Sequence, residues 1–268
     1  MIDEIYKVYA IRYGHHEQRS PANYIGGDAH DVSEPLDYYV WALVGENRTV
    51  VVDTGFDEER GVLRKRSITK PVREGLKAAG ISPETVSDVI ITHLHYDHAG
   101  NHELFPNAKY HLQECEMAYV TGRCMCHPQL RLPFEPDDVS AMVRKLFAGR
   151  MIFHEGSANV LPGIHVHKIG GHSKGLQCVT VSTRRGTLVL ASDSSHLYSH
   201  FQGGRVFPVL YSFAETIDGY QTLRKLAATD DHIIPGHDPL VLRKYQPERA
   251  EFENWVVRLD GDPRPLKA

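Results

Sequence analysis

Three imidazoles and a carboxylate fall within six residues, His93-Leu94-His95-Tyr96-Asp97-His98, directly after the apolar run Asp88-Val89-Ile90-Ile91-Thr92. Nitrogen and oxygen donors of this kind suit zinc, a borderline cation. Four donors so close together crowd a single tetrahedral ion. Assigning His93 and His95 to one ion, and Asp97 and His98 to another, relieves the crowding. Each ion then needs donors from elsewhere in the chain. Three positions supply them in the same grammar, a strand that ends at a ligand: His172 after Gly170-Gly171, Asp193 after Ser192, and His237 after Pro235-Gly236. The glycines ahead of His172 and His237 let the backbone turn sharply and approach closely. A single histidine after a strand is more often a hydrogen-bonded structural residue than a ligand, but the block at 93–98 is too dense for that reading. His165 and His167 alternate on one strand face with no carboxylate nearby and read as structural.

The elements that position these residues alternate along the chain. Runs at 38–44 and 49–53, joined by a turn at Gly45-Glu46-Asn47, read as strands. Further strands are expected at 89–92, 109–112, 164–169, 178–182, 187–191 and 233–234. Pro71 to Ala79 reads as a helix stopped by Gly80, and Ser82-Pro83-Glu84 as a helix start. Helices are also expected at 136–146 and 215–228, the second with an apolar stripe at Ile217, Tyr220, Leu223, Leu226 and Ala227. The pattern is that of an α/β chain, with four strand ends converging on one site. Residues 113–158, with their cysteines and prolines, read as an insertion covering that site. Met117, Tyr119, Met125, Leu132 and Phe134 in it, and Tyr24 before it, are candidates for an apolar wall above the metals.

Composition narrows the function classes. The 268 residues are 41% hydrophobic and 24% charged, which suits a globular protein with a sizeable core. A net charge of −4 offers no general attraction for nucleic acid or an anionic membrane. One local basic run, Arg60, Arg64, Lys65, Arg66, Lys70 and Arg73, is either a solvated face or a rim that attracts an anionic substrate. No membrane span and no signal peptide are read in the chain. Cys115, Cys124, Cys126 and Cys178 form no disulfide framework, which fits a reducing cytoplasm. Cys124 and Cys126 lack the second pair that a structural zinc site needs.

The chain resembles the metallo-β-lactamase superfamily in Val50-Val51-Val52-Asp53-Thr54-Gly55, the block at 93–98, Gly171-His172, Ser192-Asp193 and Gly236-His237, which come in the family's order. The resemblance implies an αββα sandwich, two mixed β-sheets flanked by helices, in a single domain spanning 1–268. It implies a first metal held by His93, His95 and His172 and a second held by Asp97, His98 and His237. Asp193 bridges them, and Asp53 holds the ligand loop. The implied cofactor is two Zn²⁺, with other divalent metals as substitutes. A histidine at 95 and Asp97-His98 point to the hydrolytic branch rather than the diiron redox one.

Within the superfamily the chain is most similar to the N-acyl homoserine lactonases, through 92–101, Gly171-His172-Ser173 with Gly175, and Pro235-Gly236-His237-Asp238. It departs from them three residues past the bridging aspartate, where His196 stands in place of a tyrosine, with Tyr198 two residues on. The implied activity is hydrolytic opening of a small lactone, most simply an N-acyl homoserine lactone, which would degrade a quorum signal. Either His196 or Tyr198 is expected to donate to the developing oxyanion, and Asp97 to guide a proton to the leaving alkoxide. Rival activities are a lactonase for another ring, such as a pyridoxolactone, and a glyoxalase II-like thioester hydrolase. An RNA-processing phosphodiesterase fits the net charge poorly. A non-catalytic binding protein fits the intact ligand set poorly. The resemblance suggests a homodimer without indicating an interface.

Overall fold

A computed structural model describes residues 4–17, 20–28, 30 and 34–265. Thirteen strands are formed among them: β1 (Lys7–His16), β2 (Leu36–Val44), β3 (Thr49–Val52), β4 (Ser67–Ile68), β5 (Asp88–Ile90), β6 (Lys109–Gln113), β7 (Met151–His154), β8 (Ser157–Leu161), β9 (Ile164–Lys168), β10 (Gln177–Thr183), β11 (Gly186–Ser192), β12 (Ile233–Pro235) and β13 (Val256–Arg258). They make two sheets. The first runs β13-β1-β2-β3-β5-β6-β7, with β4 paired to β1, and the second runs β12-β11-β10-β9-β8. Both are mixed. In the first, β3, β5, β6 and β7 pair in parallel and the rest antiparallel. In the second, only β11 and β12 are parallel.

Strand β2 shows why the sequence builds two layers. Its alternate residues Tyr39, Trp41 and Leu43 join Val50, Val52 and Ile90 in a core shared with Ile164, Val166, Val179 and Leu190 of the second sheet. Its other face, Tyr38, Val40 and Ala42, packs with Leu76, Met117 and Met142 of the outer helices. A period of two with both faces apolar is what a strand buried between a sheet and a helix layer requires. Helix Phe213–Leu226, capped by the Ser212 side chain, covers the second sheet with Tyr220 and Leu223. No helix among the described residues is long and apolar enough to cross a membrane.

The expected elements are present with shifted ends, and several others were not anticipated. Strands β1, β4, β7, β8 and β13 escaped the sequence reading. Ser82-Pro83-Glu84 opens only a single 3-10 turn. Residues 113–158 are mostly scaffold rather than a separate cover. They hold helices Glu114–Val120, Pro128–Arg131 and Pro136–Phe147, the edge strand β7 and the start of β8. From this segment Tyr119, Leu130, Leu132 and Pro133 reach over the site, and Phe134 forms a bridge with His95.

Candidate metal centre

The ligand block begins three residues after β5 ends, and its second half with the residue that follows, Tyr96–Ala99, forms one helical turn. His172 follows β9, Asp193 follows β11 and His237 follows β12. All seven expected metal ligands therefore sit at the rim where the two sheets meet, and all are buried. The two glycines serve different needs. Gly171 sits at φ 81°, and a Cβ there would lie 2.7 Å from the Thr216 backbone nitrogen. Gly236 has an ordinary φ, but a Cβ on it would lie 2.7 Å from the Ser192 backbone. Asp53 and Ser192 hold left-handed backbone at φ 61° and 48° beside the site, a conformation unfavourable for residues with a Cβ.

Asp193 is the meeting point. Its Oδ2 lies 3.1 Å from His172 Nε2 and 3.9 Å from His93 Nε2. Its Oδ1 lies 2.9 Å from His237 Nε2 and 3.2 Å from His98 Nε2. His95 joins the first set, with Nδ1 2.9 Å from His172 Nε2. Asp97 joins the second, with Oδ2 3.7 Å from His98 Nε2 and 3.8 Å from His237 Nε2. His93, His95, His172 and Asp193 form one group able to hold a metal ion, and Asp97, His98 and His237 form another.

Four of the imidazoles are turned inward by a bond to their outer nitrogen. His98 Nδ1 donates to Asp53 Oδ2 at 2.7 Å, His172 Nδ1 to the Val209 carbonyl at 2.6 Å, and His237 Nδ1 to the Asp37 carbonyl at 2.9 Å. His93 Nδ1 lies 3.2 Å from the Thr92 hydroxyl. Outer bonds of this kind settle ring orientation and leave Nε2 free to bind a metal. The fit to metal ions shows directly in two atoms. His93 Nε2 and His98 Nε2 are buried with no hydrogen-bond partner, a costly arrangement that a cation would relieve.

The electrostatics agree. Burial holds His93 and His95 well below the usual histidine range, so they stand as neutral imidazoles, the ligating form. Burial opposes the ionised form of Asp193, but His237, His196, His98 and His172 pull its carboxyl well below the usual range. Burial also opposes charge on His98, yet Asp193, Asp97 and Asp53 outweigh it and raise that imidazole well above its usual range. Three carboxylates thus favour positive charge at this point.

Two residues do not sit where the sequence suggested. Tyr198 opens helix Tyr198–Gly203, its N–H donating to Asp238 Oδ2 at 2.8 Å. Its ring is buried in the inter-sheet core, with the Lys244 ammonium 4.5 Å from its centroid, and does not line the metal cavity. His196 does line the cavity, stacked on Phe207 with centroids 3.7 Å apart. Its Nε2, however, is turned onto Asp193 Oδ2 at 3.0 Å. Burial holds this imidazole well below the usual histidine range, and its Nε2 faces the Asp193 carboxylate. Asp193, His196 and His237 also form a third group with metal-binding geometry.

Sequence reasoning missed Glu116, Tyr38 and Tyr96, and offered Arg66 only as one member of the basic run at 60–73. Glu116 is fully buried and joins two ligand loops. It accepts from Leu94 N–H at 3.0 Å, the Ser173 hydroxyl at 2.7 Å and Gly175 N–H at 2.7 Å. Tyr38 packs edge-on against His237 with centroids 5.1 Å apart. An inner cavity of about 100 Å³ is lined by Tyr38, Arg66, Tyr96 and Phe207 together with the ligands. It adjoins an outer one of about 340 Å³ lined by Tyr119, Leu130, Leu132, Val209 and Leu210. Of the residues expected in an apolar wall, Tyr119 and Leu132 line this outer cavity. Met125 lines a separate surface groove, and Phe134, which also borders that groove, packs edge-on against His95 with centroids 4.6 Å apart. Met117 is core, and Tyr24 packs with Leu36 and Leu197.

The comparisons with known proteins fit this geometry. The profile of the metallo-beta-lactamase superfamily matches residues 34–237, which includes every residue of the centre. An N-acyl homoserine lactonase of Bacillus cereus is 27% identical over 182 residues, 62% of this chain and 67% of that protein. The N-acyl homoserine lactonase AttM of Azorhizobium caulinodans is 29% identical over 177 residues, 61% of this chain and 62% of that protein. A solved N-acyl homoserine lactone hydrolase with N-hexanoyl-L-homoserine at its catalytic metal centre shares the fold at TM-score 0.73, with 21% identity over 92% of this chain and 98% of that one. The dizinc quorum-quenching lactonase AidC shares it at TM-score 0.69, with 16% identity over 87% of this chain and 90% of that one.

Proposed function

The chain belongs to the metallo-beta-lactamase superfamily, and from that premise we propose that it is a two-metal hydrolase that opens small lactone rings, N-acyl homoserine lactones among them. One observation carries the reading. The two oxygens of Asp193 each face a separate set of imidazoles, as a carboxylate shared by two ions would. His93, His95 and His172 would hold one ion, Asp97, His98 and His237 the other, and Asp193 both. Zinc suits this nitrogen and oxygen donor set, and other divalent metals of similar preference are substitutes. Two such ions supply a nucleophilic water at neutral pH and a Lewis acid for the scissile carbonyl.

The chain's own residues do the rest. Asp97 lines the inner cavity with its carboxylate beside His98 and His237. From there it is placed to take the proton of the attacking water and pass it to the departing alkoxide oxygen. His196, with Nε2 3.0 Å from Asp193 Oδ2, would steady the carboxylate that is to be shared by the two ions. Asp53 steadies the ligand loop, accepting from Thr92 N–H at 2.7 Å, the Thr92 hydroxyl at 2.8 Å and His98 Nδ1 at 2.7 Å. The outer cavity, walled by Tyr119, Leu130, Leu132 and Leu210, is a fitting receptacle for an acyl chain. The relatives' names are the second support, since they are N-acyl homoserine lactonases. In a cell this activity would destroy a quorum signal.

A panel of lactones, esters and thioesters, followed by mass spectrometry, tests the reading. The expected result is the gain of one water on acyl homoserine lactones, abolished by a chelator and restored by zinc. Thioester cleavage without lactone opening would replace this reading with the glyoxalase II-like one.

A further inference from the structure

The basic run at 60–73 resolves into four paired cations and two without a carboxylate partner among the described residues, Lys65, which is exposed, and Arg66. Arg60 pairs with Glu135 at 2.7 Å, and Arg64 pairs with the same carboxylate. Lys70 lies 3.9 Å from Glu74, and Arg73 2.7 Å from Glu84. Arg66 has no carboxylate partner among the described residues. It is half-buried, and its hydrogen bonds go to neutral oxygens: Nε donates to the Tyr38 hydroxyl at 2.8 Å, and Nη1 to the Arg64 carbonyl at 2.9 Å and the Lys65 carbonyl at 3.4 Å. The Tyr96 phenol stands beside it as well.

Its position gives that charge a use. Arg66 lines both the inner cavity, which holds Asp97, Asp193 and His237, and the outer one. The guanidinium therefore stands where one opens into the other. It is held there by Tyr38, whose ring rests against the ligand His237. A substrate whose scissile carbonyl sits at the metals can bring its next substituent against this group, which shares the boundary of the two cavities with His95, Tyr96, Pro133, His172 and Val209. A guanidinium partly withdrawn from water, without a counter-ion, favours an oxygen acceptor, and a negatively charged one most.

We propose that Arg66 is the specificity-determining residue of this cavity. It binds an oxygen-bearing substituent next to the scissile ester, and binds it best as a carboxylate. The amide oxygen of an acyl homoserine lactone satisfies the same donors more weakly. This inference rests on the lactone-opening reading and narrows its substrate class.

The test compares three substrates sharing one ring: plain γ-butyrolactone, its acylamino derivative and its carboxylate derivative. The wild-type protein should rank them carboxylate first, acylamino second and plain last in kcat/KM. Arg66→Met should cut the preference for the carboxylate over the plain ring on the order of 10-fold to 100-fold, the range of a charge-assisted hydrogen bond. Arg66→Lys, keeping the charge but not the fork, should recover part of it. Calorimetric binding of the corresponding lactams should show the same order without turnover, and metal content in both variants should match the wild type. Equal losses on all three rings, with the ratio unchanged, would overturn the role of Arg66 and leave the lactonase reading standing. A wild-type protein that opens none of the three, although fully metal-loaded, would overturn the lactonase reading itself.

Discussion

Five imidazoles approach the carboxylate of Asp193 within 3.9 Å, and only four of them have a place in two metal sets. The fifth, His196, is the residue at which this chain departs from the lactonases it resembles. Counting three residues along from Asp193 was enough to expect a side chain in the cavity, and it is there. Counting could not show where the ring nitrogen points. Sandwiched between Phe207 and His237, the imidazole is stacked so that Nε2 meets Asp193. His196→Ala should therefore lower metal affinity about 10-fold to 100-fold, the usual effect of losing a group that orients a ligand, with turnover falling in parallel. Elemental analysis and chelator competition read this out. Lost turnover with both ions firmly retained would return His196 to the oxyanion-donor role. The same counting failed outright for Tyr198, because the reading did not foresee that a helix capped by Asp238 starts there and sends the ring into the core.

At the scale of elements, the site was legible wherever its logic is local. The block at 93–98 and the strand-end positions of His172, Asp193 and His237 could be read because each ligand lies within a few residues of the strand that delivers it. Glu116 could not, because its partners lie 22, 57 and 59 residues away. A glutamate in the first turn of a short helix looks like an ordinary surface residue beside its N-terminus. Strands β7 and β8 were illegible for another reason: their residues are only half-buried or exposed, so no clean apolar alternation marks them. The clasp made by Glu116 links Leu94, between His93 and His95, to the loop that follows His172. Glu116→Ala would leave the Leu94 and Gly175 N–H groups and the Ser173 hydroxyl buried without an acceptor, at about 1–3 kcal/mol each, and is expected to unfold the protein readily. Glu116→Gln keeps an acceptor oxygen. It should fold and bind the first ion about 10-fold more weakly, while the second ion is little changed. Cobalt titration followed by absorption distinguishes the sites. A lower Tm with both affinities unaltered would make Glu116 a purely structural residue.

At the scale of the whole molecule, the ligands come from both sheets. His93, His95, Asp97 and His98 follow β5 of the first, whereas His172, Asp193 and His237 follow strands of the second. Two ions at their rim would tie the layers together while presenting a reactive surface to the cavity. The shared hydrophobic core of Trp41, Leu43, Val179 and Leu190 sets the two rims at a fixed separation. This explains why ligands spread from 93 to 237 along the chain can form one centre. It also makes the account sharply exposed to one measurement. Chelated protein is titrated with zinc while the initial rate of acyl homoserine lactone opening is recorded. A rate that climbs and levels at about two equivalents per chain is the result expected of two ions sharing Asp193. Full turnover in the chelated protein, or a plateau at one equivalent, would contradict it.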